Sequence, residues 1–573
     1  MSSFQKKGLT TQFGEFELTG AGELYRQGTR LKLQDQPFQI LQILLQARGE
    51  IVTREELQLK IWPSDTFVDF DHGINNAIKR LRETLGDVAE TPHYIETLPR
   101  RGYRFIGKIE SESPRFRSLA VLPLENLSHD PEQEYLAEGM CESLITTLAK
   151  IGELRVVSRT TCMLYKQVRK PLREIAQELE VDAIIEGSVL RVGPRVRITA
   201  QLIDGKKQTH LWAESYERDL SDVLALQAEV AQAIAREVKV KLTPQERAHL
   251  TQVHTVDPEA FEAYLKGRYH WARRSGKELP KAVQYFQQAV AKDPTYAAAY
   301  AGLADSLAGL GVYFVSPEEG CAKAKRMALQ AVEMDAGLAE AHTSLAWATM
   351  WYDYDFFTAE KEFERALELN PRYATARMWF GFALGMMGRP EEAHTEFKRS
   401  IRLDPHNSYA YVAFGFACYS ARRFDQAIEY FKKSLELDPG IAQAHMGLGW
   451  VYMHNSMHAV SPAAAQEAVD LLPGAPLFVA TLAEAHAANG DLDKARTILD
   501  ELHELSKQAY VTPFMVARIY AALGENKQAL EWLETAYRER AAQMVFLKTD
   551  PRFDDLRCEP RFQELLRRMN FPE

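Results

Sequence analysis

Cysteine is scarce. Only Cys141, Cys162, Cys321, Cys418 and Cys558 occur in 573 residues, far apart and never as Cys-x-x-Cys. That spacing excludes a zinc ribbon, a dithiol redox motif and a disulfide framework, and it fits a reducing cytoplasm. Long apolar runs are missing too: nowhere do about eighteen apolar residues follow one another, and Met1 to Thr10 carries no apolar h-region. Neither a membrane span nor a signal peptide is expected. No motif assembles a nucleophile, a base and an oxyanion site, so the chain is expected not to be an enzyme, and no cofactor or metal is expected.

What is present is ordinary globular material in quantity. Apolar residues make up 46%, charged residues 26% and aromatic residues 10%. The length exceeds what one hydrophobic core can fill, so about three or four structural units are expected. The net charge of -10 is unevenly spread: residues 1–110 are neutral, 111–255 carry -2 and 256–573 carry -8. Within the neutral part, residues 72–108 hold seven basic and four acidic groups, while Glu50, Glu55, Glu56, Asp65, Asp69 and Asp71 lie just before. Such an asymmetry is a candidate footprint for a polyanion.

Residues 12–33 alternate apolar and polar side chains with Gly breaks and predict a small antiparallel sheet. Pro37 opens a helix with Phe38, Leu41, Leu44 and Leu45 on one face, ended by Gly49. Thr53 with Glu56 predicts a capping box for a second helix running to Trp62-Pro63, with a polar loop after it. A third helix is expected over about His72 to Leu85. It buries Ile74, Ile78, Leu81 and Leu85 and offers Asn75, Asn76, Lys79, Arg80 and Arg82 on the opposite face. Two strand-like runs, Tyr94–Thr97 and Gly102–Phe105, flank a basic tip containing Arg100 and Arg101. Together, Ile78-Lys79-Arg80-Leu81-Arg82 with Leu85, and Arg101-Gly102-Tyr103-Arg104-Phe105, resemble the winged helix-turn-helix effector domain of the OmpR family of transcriptional regulators. The resemblance covers about residues 12–107. It implies that the third helix lies in the major groove of double-stranded DNA and the hairpin wing reaches a minor groove. Arg and Lys can fork onto guanine or hold phosphate, and Asn can read adenine. The alternative is that Lys79, Arg80 and Arg82 are only the solvated face of a surface helix.

After Ser111–Pro114 strands alternate with helices. Strands are expected at 118–124 and 154–158, helices at 135–151 and 172–179, a hairpin over 182–203, another strand at 209–216 and a long helix at 220–240. This order implies a mixed sheet covered by helices. The stretches Ala120–Ser128, Ile185–Val189 and Val196–Asp204 resemble a TolB N-terminal-like module, which implies a linking role and no activity. Glu186 and Glu214 read as ordinary sheet residues.

From about Phe261 the punctuation is periodic. Pro371, Pro405, Pro439 and Pro473 fall 34 residues apart, and Gly381, Ala393 and Phe397 recur as Gly415, Ala427 and Phe431. A 34-residue helix-turn-helix period is that of tetratricopeptide repeats. About eight copies are expected, degenerate after Gly449, with 550–572 as a cap. The first helix of each pair should line a concave face, presenting Trp351, Tyr352, Phe382, Phe416, Tyr419 and Trp450 to a protein or peptide partner; the alternative is that these rings pack between helices. His445, His454 and His458 include a pair spaced by four residues, read as a metal-free helix end.

The fold class expected is therefore multidomain, α+β and all-α: a winged helix-turn-helix domain at 1–110, a mixed α/β domain at 111–255 and an α-solenoid at 256–573. The function expected is sequence-specific DNA-binding transcriptional regulation, with two protomers on half-sites about 10 base pairs apart and the repeats sensing or recruiting a protein. The alternative is an interaction scaffold without sequence-specific DNA binding.

Overall fold

The computed structural model describes residues 11–18, 23–26, 29–47, 49–62, 70–110, 116–128, 130–166, 168, 170–238, 243, 256–273 and 277–572. The loop holding Asp65 and Asp69, the linker 111–114 and the junction near 255 lie outside them. The chain parts into two compact units, Met1–Arg115 and Phe116–Glu573.

In the first unit the elements run β1 (Thr11–Phe13), β2 (Phe16–Leu18), β3 (Leu24–Arg26), β4 (Thr29–Leu31), α1 (Asp35–Gln46), β5 (Ile51–Thr53), α2 (Arg54–Ile61), α3 (Phe70–Leu85), β6 (Ile95–Leu98), β7 (Gly102–Phe105) and β8 (Ile109–Glu110). The antiparallel sheet has the order β4-β3-β2-β1-β8, and a second sheet has the order β5-β7-β6. Alternation works as expected: Phe13, Phe16, Leu18 and Leu24 enter one core with Leu41, Leu44, Ile74, Ile78, Leu81 and Phe105. Helix α1 begins two residues before Pro37, and α3 two residues before His72. The Thr53 capping box is present, with Thr53 Oγ1 accepting from the Glu56 amide at 3.2 Å and Glu56 Oε2 accepting from the Thr53 amide at 2.9 Å.

The second unit opens on β9 (Ser118–Val121), β10 (Glu125–Asn126), α4 (Glu134–Ala149), β11 (Arg155–Val156), α5 (Arg159–Met163), α6 (Leu172–Glu178), β12 (Ala183–Val192), β13 (Arg195–Asp204), β14 (His210–Asp219) and α7 (Val223–Glu237). The sheet order is β11-β9-β12-β13-β14, with β10 beside β12. It is mixed: β11, β9 and β12 pair in parallel, and β12, β13 and β14 pair antiparallel. Glu186 and Glu214 both sit in β13-paired register. The core of this sheet also takes in Phe261 and Leu265 of the first solenoid helix, Pro258–Arg273.

Eight consecutive helix pairs follow among the described residues, from Pro258–Arg273 with Glu278–Lys292 to Pro513–Ala522 with Asn526–Arg538. The period has a packing cause. A Cβ on Gly415 would lie 2.6 Å from the Phe431 ring, and one on Gly447 would lie 2.2 Å from it, so one fully buried ring fills a notch in its own pair and in the next. Phe286 sits between Gly267 and Gly302 in the same manner, with Cβ distances of 2.7 and 2.5 Å. Burying such a ring contributes roughly 1.5–3 kcal/mol. The prolines fall just after each second helix, as Pro405 does after Pro390–Leu403, where a helix must stop. After the last pair come two 3-10 turns, Ala542–Phe546 and Pro551–Leu556, and a helix at Pro560–Met569.

Candidate nucleic-acid interface and solenoid cavity

Helix α3 presents Asn75, Asn76, Lys79 and Arg80 to solvent, with Arg82 half-buried. The wing is held beside it by side chains of α3 and of the turn that follows α3. Arg82 Nη2 donates to the Ile95 carbonyl at 2.7 Å and to Thr97 Oγ1 at 2.9 Å. The buried Asp87 carboxylate accepts from the His93 amide at 2.6 Å and the Ile95 amide at 2.8 Å, which fixes the start of β6. Asn75 Oδ1 accepts from Tyr103 Oη at 2.8 Å and from Arg54 Nη2 at 3.0 Å, and Arg54 also pairs with Asp71 at 2.8 Å. Asn75 and Arg82 are thus engaged within the domain, whereas Asn76 and Lys79 have no protein partner among the described residues; Arg80 reaches Gln34.

Arg100 and Arg101 are both exposed at the wing tip, and Arg100 takes φ of 60°. The following Gly102 has φ of 151°, and a Cβ there would lie 2.1 Å from the Val52 carbonyl oxygen. Only glycine lets β5 approach β7 this closely, which is why the sequence carries Gly between Arg101 and Tyr103. A cleft lined by Lys79, Arg82, Thr97 and Tyr103 runs between α3 and the wing.

Arg54 and Tyr103 join Asn75 in one hydrogen-bonded group between α3 and the wing, a placement that pattern reasoning did not give them. Their signal is weak: neither lies on the exposed stripe of α3.

In the solenoid, five of the six aromatic positions are buried: Trp351 is 3% exposed, Phe382 5%, Phe416 7%, Tyr419 2% and Trp450 3%. Tyr352 is half-buried; its hydroxyl donates to Glu318 at 2.7 Å and its ring lies under Arg540 at 5.1 Å. The ladder exists, but it is not an open docking surface. Trp351 and Phe382 stack at 6.0 Å, and Phe416 meets Trp450 at 5.1 Å. Trp347 and Trp379, in contact at 4.0 Å, extend the same wall. They stand four and three residues before Trp351 and Phe382, on the same helix faces, so helical spacing could have found them.

What covers the ladder is the chain itself. Residues 550–572 were expected to cap the end of the array; instead residues 541–557 turn back across its inner wall. Tyr354 Oη donates to the Ala541 carbonyl at 2.9 Å, and Gln543 Nε2 donates to the Val312 carbonyl at 2.7 Å. Phe546 meets Trp351 at 5.9 Å and Phe382 at 5.8 Å, and the Arg552 guanidinium lies 3.9 Å from the Trp450 ring centroid.

A buried quartet anchors this segment. Arg518 pairs with Glu484 at 2.6 Å, Arg552 with Asp550 at 2.5 Å and Arg552 with Glu484 at 3.4 Å, and all four side chains are between 1% and 6% exposed. Burial alone would raise the Asp550 carboxyl, but Arg552 beside it prevails and holds it below the usual carboxylate range. Burial, with Arg552 nearby, lowers Arg518. Between the first helices and the returning segment lies a cavity of about 130 Å³.

His445, His454 and His458 do not converge on a metal. His454 Nδ1 lies 3.0 Å from the Trp450 carbonyl oxygen, burial lowers its pKa, and no cluster of three His, Cys, Asp or Glu among the described residues could hold an ion. No helix among the described residues is long and apolar enough to cross a membrane.

Comparison with known proteins agrees with this architecture part by part. Residues 28–105 match the family "Transcriptional regulatory protein, C terminal", residues 115–234 the "HilA/YgeH-like transcriptional regulator, second domain", and residues 383–440 and 417–476 a tetratricopeptide repeat family. The middle match is to the HilA-type domain, and the TolB resemblance is not confirmed by it.

The chain is 36% identical over 243 residues to a putative adenylate cyclase 3 of Rhizobium meliloti, covering 42% of this chain and 41% of that protein. It is 25% identical over 392 residues to the transcriptional regulator HilA of Salmonella typhimurium, covering 66% of this chain and 68% of that one. Over 81 residues it is 32% identical to the cholera toxin transcriptional activator of Vibrio cholerae, 14% of this chain and 28% of that one. The chain thus spans less than half the length of the first of these relatives and about two thirds of the second. It carries an OmpR-type winged-helix domain of transcriptional regulators, a HilA-like regulator domain and tetratricopeptide repeats.

Proposed function

We propose that the chain is a bacterial, cytoplasmic, sequence-specific regulator of transcription, with working domains at 1–110, 111–255 and 256–573. The observation that carries this reading is the exposed face of α3 beside a wing whose tip bears two solvated arginines, on a domain matched to transcriptional regulators. In this reading Asn76, Lys79 and Arg80 face base edges in the major groove, Arg100 and Arg101 hold phosphates, and Asn75 and Arg82 fix the helix to the wing. Two protomers occupy half-sites about 10 base pairs apart.

The chain works without catalysis of its own. The repeats receive a protein partner, and the ladder from Trp351 to Trp450 becomes a peptide site once residues 541–557 withdraw.

Mobility-shift titration of the full chain against selected genomic fragments, over a range of salt, tests the DNA reading. Arg80→Ala should lose about 1–3 kcal/mol of preference for its site. Arg100→Ala should weaken binding to every sequence and reduce the salt slope by about one. Equal, salt-insensitive binding by wild type and Arg80→Ala would leave the scaffold reading in its place.

A further inference from the structure

We infer that the cavity inside the solenoid is a binding site for a small neutral aromatic molecule bearing a hydrogen-bond acceptor. The size sets the first limit. At about 130 Å³ the space is close to the roughly 150 Å³ apolar cavity that suffices to take up benzene in a protein core.

The walls set the second limit. Trp347, Trp351, Trp379, Phe382, Phe416 and Trp450 come from the first helices of four successive pairs, and such faces favour a flat ring. Two wall residues then specify polarity. Trp351 Nε1 and Arg518 Nε are buried N–H donors with no acceptor among the described residues, and an unmet buried donor is costly enough that a molecule supplying an acceptor gains over one that does not.

Charge excludes an anionic guest. The Arg518, Arg552, Glu484 and Asp550 side chains in and around the wall already balance one another. A carboxylate would enter such a site unmatched and would meet the Asp305 carboxylate in the wall.

The site goes beyond the protein partner proposed above. It also bears on that partner, because Gln543, Phe546 and Arg552 of the returning segment form one of its walls. A molecule held there touches both the helices and the segment, so its binding opposes withdrawal of residues 541–557.

The test uses two matched probes, acetophenone and ethylbenzene, with benzoate as the charged control, titrated into the full chain by calorimetry. Acetophenone should bind one per chain and at least tenfold more tightly than ethylbenzene, with benzoate silent. Trp351→Phe should bring acetophenone down to the level of ethylbenzene. Ala413→Leu, which fills the space from the neighbouring helix Ser408–Ser420, should abolish binding of both, and it serves should Trp351→Phe fail to fold. No saturable binding, a cavity holding water only, or equal binding of the two probes indifferent to both substitutions overturns the inference. DNA binding by the same samples reports separately on the regulatory reading.

Discussion

Replacing Glu484 by glutamine removes one negative charge from the buried quartet while keeping its shape. Two guanidiniums, Arg518 and Arg552, are then left with the single carboxylate of Asp550. Stripping one partner from a buried ion pair costs about 3–5 kcal/mol. The location of the loss follows from the topology. Arg518 belongs to a solenoid helix and cannot reach water, whereas Arg552 and Asp550 sit on the returning segment. The least costly relief is to release residues 541–557, carrying Arg552 into solvent. At about 1.4 kcal/mol per factor of ten, hydrogen exchange of the amides between 541 and 557 should accelerate on the order of 10²- to 10³-fold, with the helices before residue 500 unchanged. The double variant Glu484→Gln/Arg518→Met restores the charge balance and should recover most of the protection. Unaltered exchange of this segment in Glu484→Gln, or uniform loss of protection along the whole array, would refute the reasoning.

Gly102→Ala should cost about 2–4 kcal/mol and detach the wing, since the new Cβ meets the Val52 carbonyl; thermal melting of the chain and loss of DNA binding read it together. Acid should free the returning segment before it melts the array. Asp550 is depressed in the folded state, so its contribution is complete above its unfolded pKa near 3.8 and is lost as pH falls through its lower folded value; peptic cleavage at Phe546 or Leu547 during brief acid exposure reports it. Arg82→Ala removes two hydrogen bonds to β6 and should lower both stability and affinity by about 1–3 kcal/mol, measured by denaturation and gel shift.

Much of this architecture was legible because each element solves a local problem. The Thr53 capping box, the apolar stripe of α3 and the proline period each state a local requirement, and each is met. The short helix Arg159–Met163 escaped notice because five residues give too little periodicity to read. Exposure of α3 was legible too, but the engagement of Asn75 and Arg82 was not. It depends on where Tyr103 and Ile95 arrive in space, and sequence spacing carries no such information.

The ladder shows the same limit more sharply. Helical spacing placed Trp351, Phe382, Phe416 and Trp450 on one wall, yet nothing in a repeat pattern says that residues beyond the last repeat return to cover it. Nor does spacing show that Arg552 will pair with both Asp550 and Glu484, the pairing that lets these charges be buried.

The returning segment also sets an order of events during synthesis. Gln543 bonds to Val312 across 231 positions of sequence, and Tyr354 bonds to Ala541 across 187. Helix pairs touch mainly their neighbours and can stack as they leave the ribosome, at about 5–20 residues each second. The segment that locks them is made after every repeat it touches. For roughly ten seconds or more on that scale, the nascent array stands with its tryptophan wall uncovered, and any molecule bound there while translation continues is enclosed when the last turns close.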